Sequence, residues 1–133
     1  MSTGRWPALI AVVLLGVSLG ACVSGPKNNR RPAIISLTAT PDSIGPYDST
    51  TVVCRAQDPD GDVLVYDWIT DARLTMQGTR PNEYWLYNTY SNSHVFYPGP
   101  TSLGPVDTAW VQCFARDRRG MSDNRTIHFL VHR

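Results

Sequence analysis

The stretch that decides the fold is residues 58–68, DPDGDVLVYDW. Its first five residues are a turn by composition, because proline fixes φ, glycine permits a positive φ, and aspartate side chains accept hydrogen bonds from exposed amides. Residues 63–70 are then predicted to form a β-strand, whose period of two residues puts Leu64, Tyr66 and Trp68 on one face. This pattern predicts a sheet protein with Tyr66 and Trp68 in its core.

Similar short strands, separated by turn residues, continue along the chain on both sides of this stretch. They are predicted at residues 34–40, 51–57, 74–77, 95–97, 108–116 and 126–132. The run 108–116 places Val111 and Cys113 on its inward face and Trp110 on the opposite face. Residues 78–90 show no regular pattern and receive no assignment. About seven short strands of this kind predict an all-β protein, an immunoglobulin-like antiparallel sandwich.

The same residues carry a resemblance. Residues 58–68 resemble the D-P-D-G-D-x-L-x-Y-x-W signature of PKD-like and related bacterial immunoglobulin-like domains. Residues 34–41 resemble the opening strand of those domains, and residues 111–120 resemble their late hairpin. The resemblance covers residues 32–133 and implies the fold, but it implies no particular function.

The first 22 residues predict export and lipid attachment. Arg5 precedes an apolar run, residues 8–19, which is typical of a signal peptide and too short to span a membrane comfortably. The following Leu19-Gly20-Ala21-Cys22 resembles the bacterial lipobox. That resemblance implies that residues 1–21 are removed and that Cys22 carries the lipid; an ordinary secretory signal or a membrane anchor is the alternative.

Residues 22–32 are rich in glycine, proline, asparagine and charge, and they predict a flexible tether before a domain at residues 33–133. Several acyl chains on Cys22 would anchor the protein stably in the membrane of the bacterial cell envelope. Val23 follows the cysteine in place of the aspartate that retains some lipoproteins in the inner membrane. The resemblance therefore implies the outer membrane if the cell is Gram-negative.

With Cys22 lipidated, Cys54 and Cys113 remain as an even pair in an oxidising compartment. Both lie in alternating apolar runs, as a disulfide inside a sandwich would. The sequence predicts this disulfide, with two buried free thiols as the alternative. Together with Trp68, the pair is similar to the disulfide and tryptophan of immunoglobulin cores.

Four aspartates are the candidate metal ligands: Asp58, Asp60, Asp62 and, from the turn near the C-terminus, Asp117. Carboxylate oxygens are ligands that Ca²⁺ prefers. The spacing is not that of an EF-hand loop, and the alternative is a structural turn in which these side chains bond loop amides. Calcium is the one cofactor that the sequence suggests.

Aromatic residues are the candidate binding surface. Six of them fall within residues 84–97. We single out Tyr84, Trp85, Tyr87 and Tyr90, with Trp110, because tyrosine and tryptophan dominate interface anchors and stack on sugar rings. The alternative is that about half of these rings complete the sandwich core.

The charge balance excludes some functions. The 133 residues carry 12 basic and 11 acidic side chains, a formal net charge of +1, which argues against a nucleic-acid binder. The basic hairpin Arg116, Arg118, Arg119 and Arg125 is typical of a solvated turn, with contact to anionic lipid as an alternative. No catalytic constellation is recognisable, so the sequence predicts a non-enzymatic membrane-anchored module that binds a protein, or alternatively a glycan, at the cell envelope.

Overall fold

The computed structural model describes residues 28–100 and 104–132. Their regular structure consists of nine strands: β1 (Ala33–Thr40), β2 (Ser43–Ile44), β3 (Thr50–Gln57), β4 (Val65–Thr70), β5 (Leu74–Met76), β6 (Trp85–Thr89), β7 (Ser93–Pro98), β8 (Val106–Arg116) and β9 (Ser122–His132). Within these ranges, no helix has the length and apolar character that crossing a membrane requires. The predicted signal peptide and Cys22 lie outside the described residues.

The strands form two sheets. One sheet has the order β1-β3-β7-β5, and the other has the order β2-β9-β8-β4-β6. Every pair is antiparallel except β2 with β9. The longest ladder joins β8 and β9, whose pairing runs from Val106 opposite His132 to Arg116 opposite Ser122.

Two ends of the sandwich matter for the sites described below. Ala33 pairs with Gln57, and Val65 pairs with Arg116, so β1 starts where the β3–β4 and β8–β9 turns lie. We call this end, formed by residues 28–32, 58–62 and 117–121, the tether end. The opposite end, where β1, β4 and β9 finish, is the far end.

Trp68 lies at the centre of the core. It is completely buried on β4, with its ring centroid 5.3 Å from that of His94 and 6.3 Å from that of Phe96, both on β7 of the other sheet. Val111 is completely buried and Tyr66 is 8% exposed. The two sheets therefore pack face to face, and the prediction of an immunoglobulin-like antiparallel sandwich is confirmed.

The predicted disulfide is not present. Cys54 on β3 and Cys113 on β8 are both free and completely buried, and a hydrogen bond joins the two side chains across the sheets. That hydrogen bond and burial raise the pKa of the Cys113 thiol, so it is protonated at neutral pH. The two side chains do face each other, but they pack as small apolar groups with a weak S–H donor.

Two strands are absent from the sequence prediction. β2 has two residues, too few to show any alternation. β6 lies in the stretch left unassigned, where the β4–β6 pairing shifts its register between Tyr66 and Trp68 and Asn88 has a φ of 57°. This irregularity interrupts the period of two residues by which strands are recognised.

Candidate functional site

Two turns of the same kind meet at the tether end. Asp58 Oδ1 accepts hydrogen bonds from the amides two and four residues later, at 2.7 and 3.3 Å. Asp117 Oδ1 accepts from the amides at the same spacings, at 2.8 and 2.9 Å. The third residue after each aspartate is a glycine, Gly61 or Gly120, with a φ of 77° or 92°. The repeated D-x-x-G spacing is a sequence signal for this pair of turns.

The two turns bring three carboxylates together. Oxygen atoms of Asp58, Asp62 and Asp117 all lie within 4.8 Å of one another, and we call these residues the acidic cluster. Oδ2 of Asp58 and of Asp62 is buried without a hydrogen-bond partner among the described residues, as is Oδ1 of Asn29. Asn29 Nδ2 donates to Asp117 Oδ2 at 2.7 Å, which attaches this amide to the cluster. Arg119 Nε lies 3.9 Å from Asp62 Oδ2.

Asp60 lies outside the acidic cluster, although the sequence analysis groups it with the other three. Its carboxylate accepts hydrogen bonds from the backbone amide of Arg30 at 2.7 Å and from Arg30 Nε at 2.8 Å. These two bonds hold the pKa of Asp60 below its ordinary value. Within the segment predicted as a flexible tether, residues 22–32, Arg30 is thus bonded to the turn and Pro32 is buried.

Asp117 is the most deeply buried member of the cluster, at 1% exposed. Burial alone would raise its pKa, but hydrogen bonds from the Asn29 side chain and from the turn amides bring the pKa below the ordinary value. The carboxylate is therefore ionised at neutral pH. A buried negative charge at this position favours the approach of a cation.

A second feature lies on β6, an outermost strand of the five-stranded sheet, and on Tyr90, the residue that follows it. Trp85, Tyr87 and Tyr90 are 47%, 54% and 67% exposed, and we call these three residues the aromatic edge. Leu86, between the first two, packs against the core, while Trp85 lies opposite Ile69 of β4. Large rings exposed together on a sheet edge are typical of an interaction surface.

The other two predicted surface residues lie elsewhere. The Tyr84 hydroxyl donates to Asn82 Oδ1 at 3.3 Å, and its ring lines a separate depression of about 220 Å³. Trp110 is half-buried on β8 opposite His128, and β4 separates its strand from β6. Three of the five predicted residues, Trp85, Tyr87 and Tyr90, thus lie exposed on β6 or directly after it.

An ion pair missed by the sequence analysis holds the bend of β6. Asp67 on β4 accepts a hydrogen bond from the Asn88 amide at 2.8 Å and pairs with Arg116 at 3.2 Å. Arg116 also donates to Asn88 Oδ1 at 2.7 Å. Because Asn88 directly follows Tyr87, these contacts fix the strand where the aromatic edge turns toward Tyr90.

A scan of the sequence against protein-family models finds no match, and neither does a search of the curated proteins. Among solved structures, the chain is similar to the PKD1 domain of Vibrio anguillarum Epp, with 15% identity, coverage of 79% of this chain and 98% of that domain, and a TM-score of 0.49. It is also similar to part of a nucleoside hydrolase-related hypothetical protein from Saccharophagus degradans that is associated with carbohydrate metabolism. That likeness has 15% identity and a TM-score of 0.51, and it covers 78% of this chain but 26% of the other, so it shows the fold alone.

Proposed function

We propose that the protein is a lipid-anchored, non-enzymatic module of the bacterial cell envelope that binds another envelope protein through the aromatic edge. The observation that carries this proposal is the exposure of Trp85 and Tyr87 on an edge strand and of Tyr90 directly after it. The anchor rests on the lipobox resemblance at Cys22, and the outer-membrane location applies to a Gram-negative cell.

The character of β6 favours a protein partner. An edge strand offers backbone donors and acceptors to an added strand, and soluble proteins usually protect such edges with lysine, proline or charge. The β6 sequence, WLYNT, contains none of these. An edge that combines open backbone groups with aromatic anchors suits a partner that pairs by strand addition.

The size of the anchor sets the expected affinity effect. A tryptophan side chain buries up to about 250 Å², and Trp85 is 47% exposed in the free protein. If a partner covers this exposed part of the ring, the gain at about 25 cal/mol per Å² is at most about 3 kcal/mol. Trp85→Ala is therefore expected to weaken partner binding by up to about a hundredfold.

Photo-crosslinking in the native membrane tests the binding proposal. A photoreactive residue at Tyr87 is expected to capture one envelope protein, identified by mass spectrometry, and Trp85→Ala is expected to abolish the capture. Tyr47→Ala is the matched control, because Tyr47 is 98% exposed on a loop at the far end. Capture that Trp85→Ala leaves unchanged contradicts the proposal.

A carbohydrate-binding module using the same aromatic edge is the alternative, since exposed rings can stack on sugars. Binding to a glycan array that Trp85→Ala removes, without any crosslinked protein, would favour this alternative. Silence on the array, with unchanged tryptophan fluorescence on adding cell-wall fragments, would count against it.

Metabolic labelling tests the anchor separately. Radiolabelled palmitate is expected to enter the wild-type protein and not the Cys22→Ala variant, which is also expected to leave the membrane fraction. A variant that stays membrane-bound contradicts lipid anchoring at this residue.

We also propose that the acidic cluster binds one Ca²⁺ ion. The support is the set of buried oxygens without a hydrogen-bond partner on Asp58, Asp62 and Asn29, next to the ionised Asp117. Hard cations take carboxylate and amide oxygens of this type, and extracellular modules bind Ca²⁺ with a Kd of about 10⁻⁴–10⁻³ M.

Calorimetric titration with CaCl₂ tests the calcium proposal. We expect one ion per protein in the wild type and weaker binding in Asp62→Asn, which removes a cluster charge at nearly constant volume. Asp42→Asn is the control, because Asp42 lies at the far end and its backbone carbonyl, not its side chain, accepts a hydrogen bond from the Leu130 amide. No binding at millimolar Ca²⁺ would leave these aspartates a purely structural role.

A further inference from the structure

The start of the described chain is fixed to the tether end. Asn29 bonds to Asp117, and Arg30 bonds to Asp60 through both its backbone and its side chain. These contacts reach the β8–β9 turn and the β3–β4 turn respectively. A membrane anchor upstream of residue 28 would therefore pull on this end of the sandwich.

At the tether end, the aspartate side chains are less exposed than the arginine side chains. The carboxylates are the less exposed groups: Asp117 is 1% exposed, and the side chains of Asp60 and Asp62 are 8% and 28% exposed. The guanidinium groups face outward, with the side chains of Arg30 and Arg119 at 63% and 52% exposed. The exposed arginines of this end are Arg30, Arg31, Arg118 and Arg119. Four arginines and four aspartates balance the formal charge of the tether end, but the arginines lie outermost, so its outer surface is cationic.

The far end has the opposite character. The described acidic residues there are Asp42, Asp48, Asp71, Glu83 and Asp107, and the described arginines there are Arg73 and Arg80. The domain is therefore polarised along its strands, from a cationic surface at the tether end to an acidic far end. An anionic surface attracts the cationic tether end and repels the acidic far end.

The anchor brings the cationic end close to the membrane; this step rests on the proposed lipidation of Cys22. From Cys22 to Asn28 the chain has six residue steps, which span at most about 20 Å when extended. Exposed basic residues act on an anionic lipid surface within about one Debye length, about 8 Å at physiological ionic strength. The tether end is the part of the domain that the anchor keeps nearest to the membrane, so its arginines can come within this reach.

We propose that the tether end is a docking surface for anionic phospholipid headgroups, with Arg31 and Arg118 facing the lipid phosphates and with Arg30 and Arg119, which pair with Asp60 and Asp62, beside them. Guanidinium groups pair with phosphate oxygens in bidentate geometry, which suits this occupant. Docking holds the domain with its far end pointing away from the membrane.

A depth measurement on the acylated full-length protein tests the docking. A fluorescent amino acid at Met121, 40% exposed at the tether end, and another at Tyr47, 98% exposed, report the two ends. In vesicles with nitroxide-labelled headgroups, we expect the Met121 reporter to be quenched more with phosphatidylglycerol than with phosphatidylcholine alone. Quenching of the Tyr47 reporter is expected to be equal in the two kinds of vesicle.

Matched arginine pairs supply the control. Arg31→Gln with Arg118→Gln is expected to lower the docking constant by roughly 10- to 30-fold, since each basic side chain near an anionic surface contributes about a fivefold gain. Arg73→Gln with Arg80→Gln makes the same charge change at the far end and is expected to have no effect. Quenching at Met121 that is independent of lipid charge, or equal effects of the two pairs, overturns the proposal.

Flotation of the same protein distinguishes failure of the anchor from failure of the docking. A protein that floats with phosphatidylcholine vesicles is anchored by its lipid, and the quenching experiment then decides the docking. A protein that floats only with phosphatidylglycerol vesicles supports docking and contradicts anchoring. A protein that floats with neither contradicts both.

Discussion

Two valines of β8 lie on opposite faces of the strand. Val111 is completely buried between the sheets, whereas Val106 is 48% exposed. Val111→Ala removes two carbon groups worth about 0.8 kcal/mol each, and the cavity left behind brings the expected loss to about 2–3 kcal/mol. For a domain of this size, the melting temperature falls by roughly 10–20 °C. Val106→Ala makes the same chemical change and is expected to cost less than about 0.5 kcal/mol.

Thermal unfolding followed by circular dichroism, with urea denaturation as a second measure, distinguishes these outcomes. Equal losses in the two variants would refute the face assignment of β8. A larger loss in Val106→Ala than in Val111→Ala would indicate a slip of one residue, which exchanges the two faces of a strand and would turn Trp110 inward and Val111 outward. Such a slip would also change the register between β8 and β4, and β4 is the strand with which β6 pairs.

Three further predictions concern the tether end and the far end. Calcium at ten times its Kd is expected to stabilise the protein by about 1.4 kcal/mol, measured as a rise in melting temperature that a chelator reverses; no rise would contradict the metal site. Since the pKa of Asp60 is lowered in the folded protein, its bond to Arg30 contributes fully above the ordinary Asp pKa of about 3.9 and is lost as pH falls through the lowered value. The Arg30 amide resonance is therefore expected to be constant from pH 7 to 5 and to move only in stronger acid, and a change near pH 6 would contradict this. Gly99→Ala is expected to cost about 1–3 kcal/mol in urea denaturation, because a Cβ there lies 2.9 Å from the backbone oxygen of Ala72, whereas Gly104→Ala, which meets a movable side chain, is expected to cost less.

The parts of the fold that follow from local chemistry are predictable from the sequence. The turn at residues 58–62 forms because Asp58 bonds two nearby amides and Gly61 takes a positive φ, both of which are properties of residue type. The inward positions of Trp68 and Val111 follow from alternation alone. The same rule places Cys54 and Cys113 on the inward faces of their strands. Whether they form a disulfide does not follow from any local pattern.

The parts that depend on distant partners are not predictable in this way. Arg30 lies in a segment whose composition indicates a flexible tether, and its bond to Asp60 links residues 30 positions apart. That bond removes Asp60 from the acidic cluster, while Asn29 takes a place beside it. β6 is held by Asp67 and Arg116 of two other strands, so the stretch that contains it shows no pattern of its own.

The docked orientation constrains the kind of partner that can reach the aromatic edge. Trp85 pairs near the end of β4 and Thr89 near its start, so Tyr90 lies closer to the tether end than Trp85 does. Six residues of β4 span about 20 Å, which places the whole aromatic edge within about that height of a membrane on which the tether end is docked. A partner that is itself anchored in the membrane meets this edge at a fixed height and at a high effective concentration. Loss of docking in the Arg31→Gln, Arg118→Gln variant is therefore expected to weaken crosslinking to a membrane-anchored partner and to leave crosslinking to a soluble one unchanged.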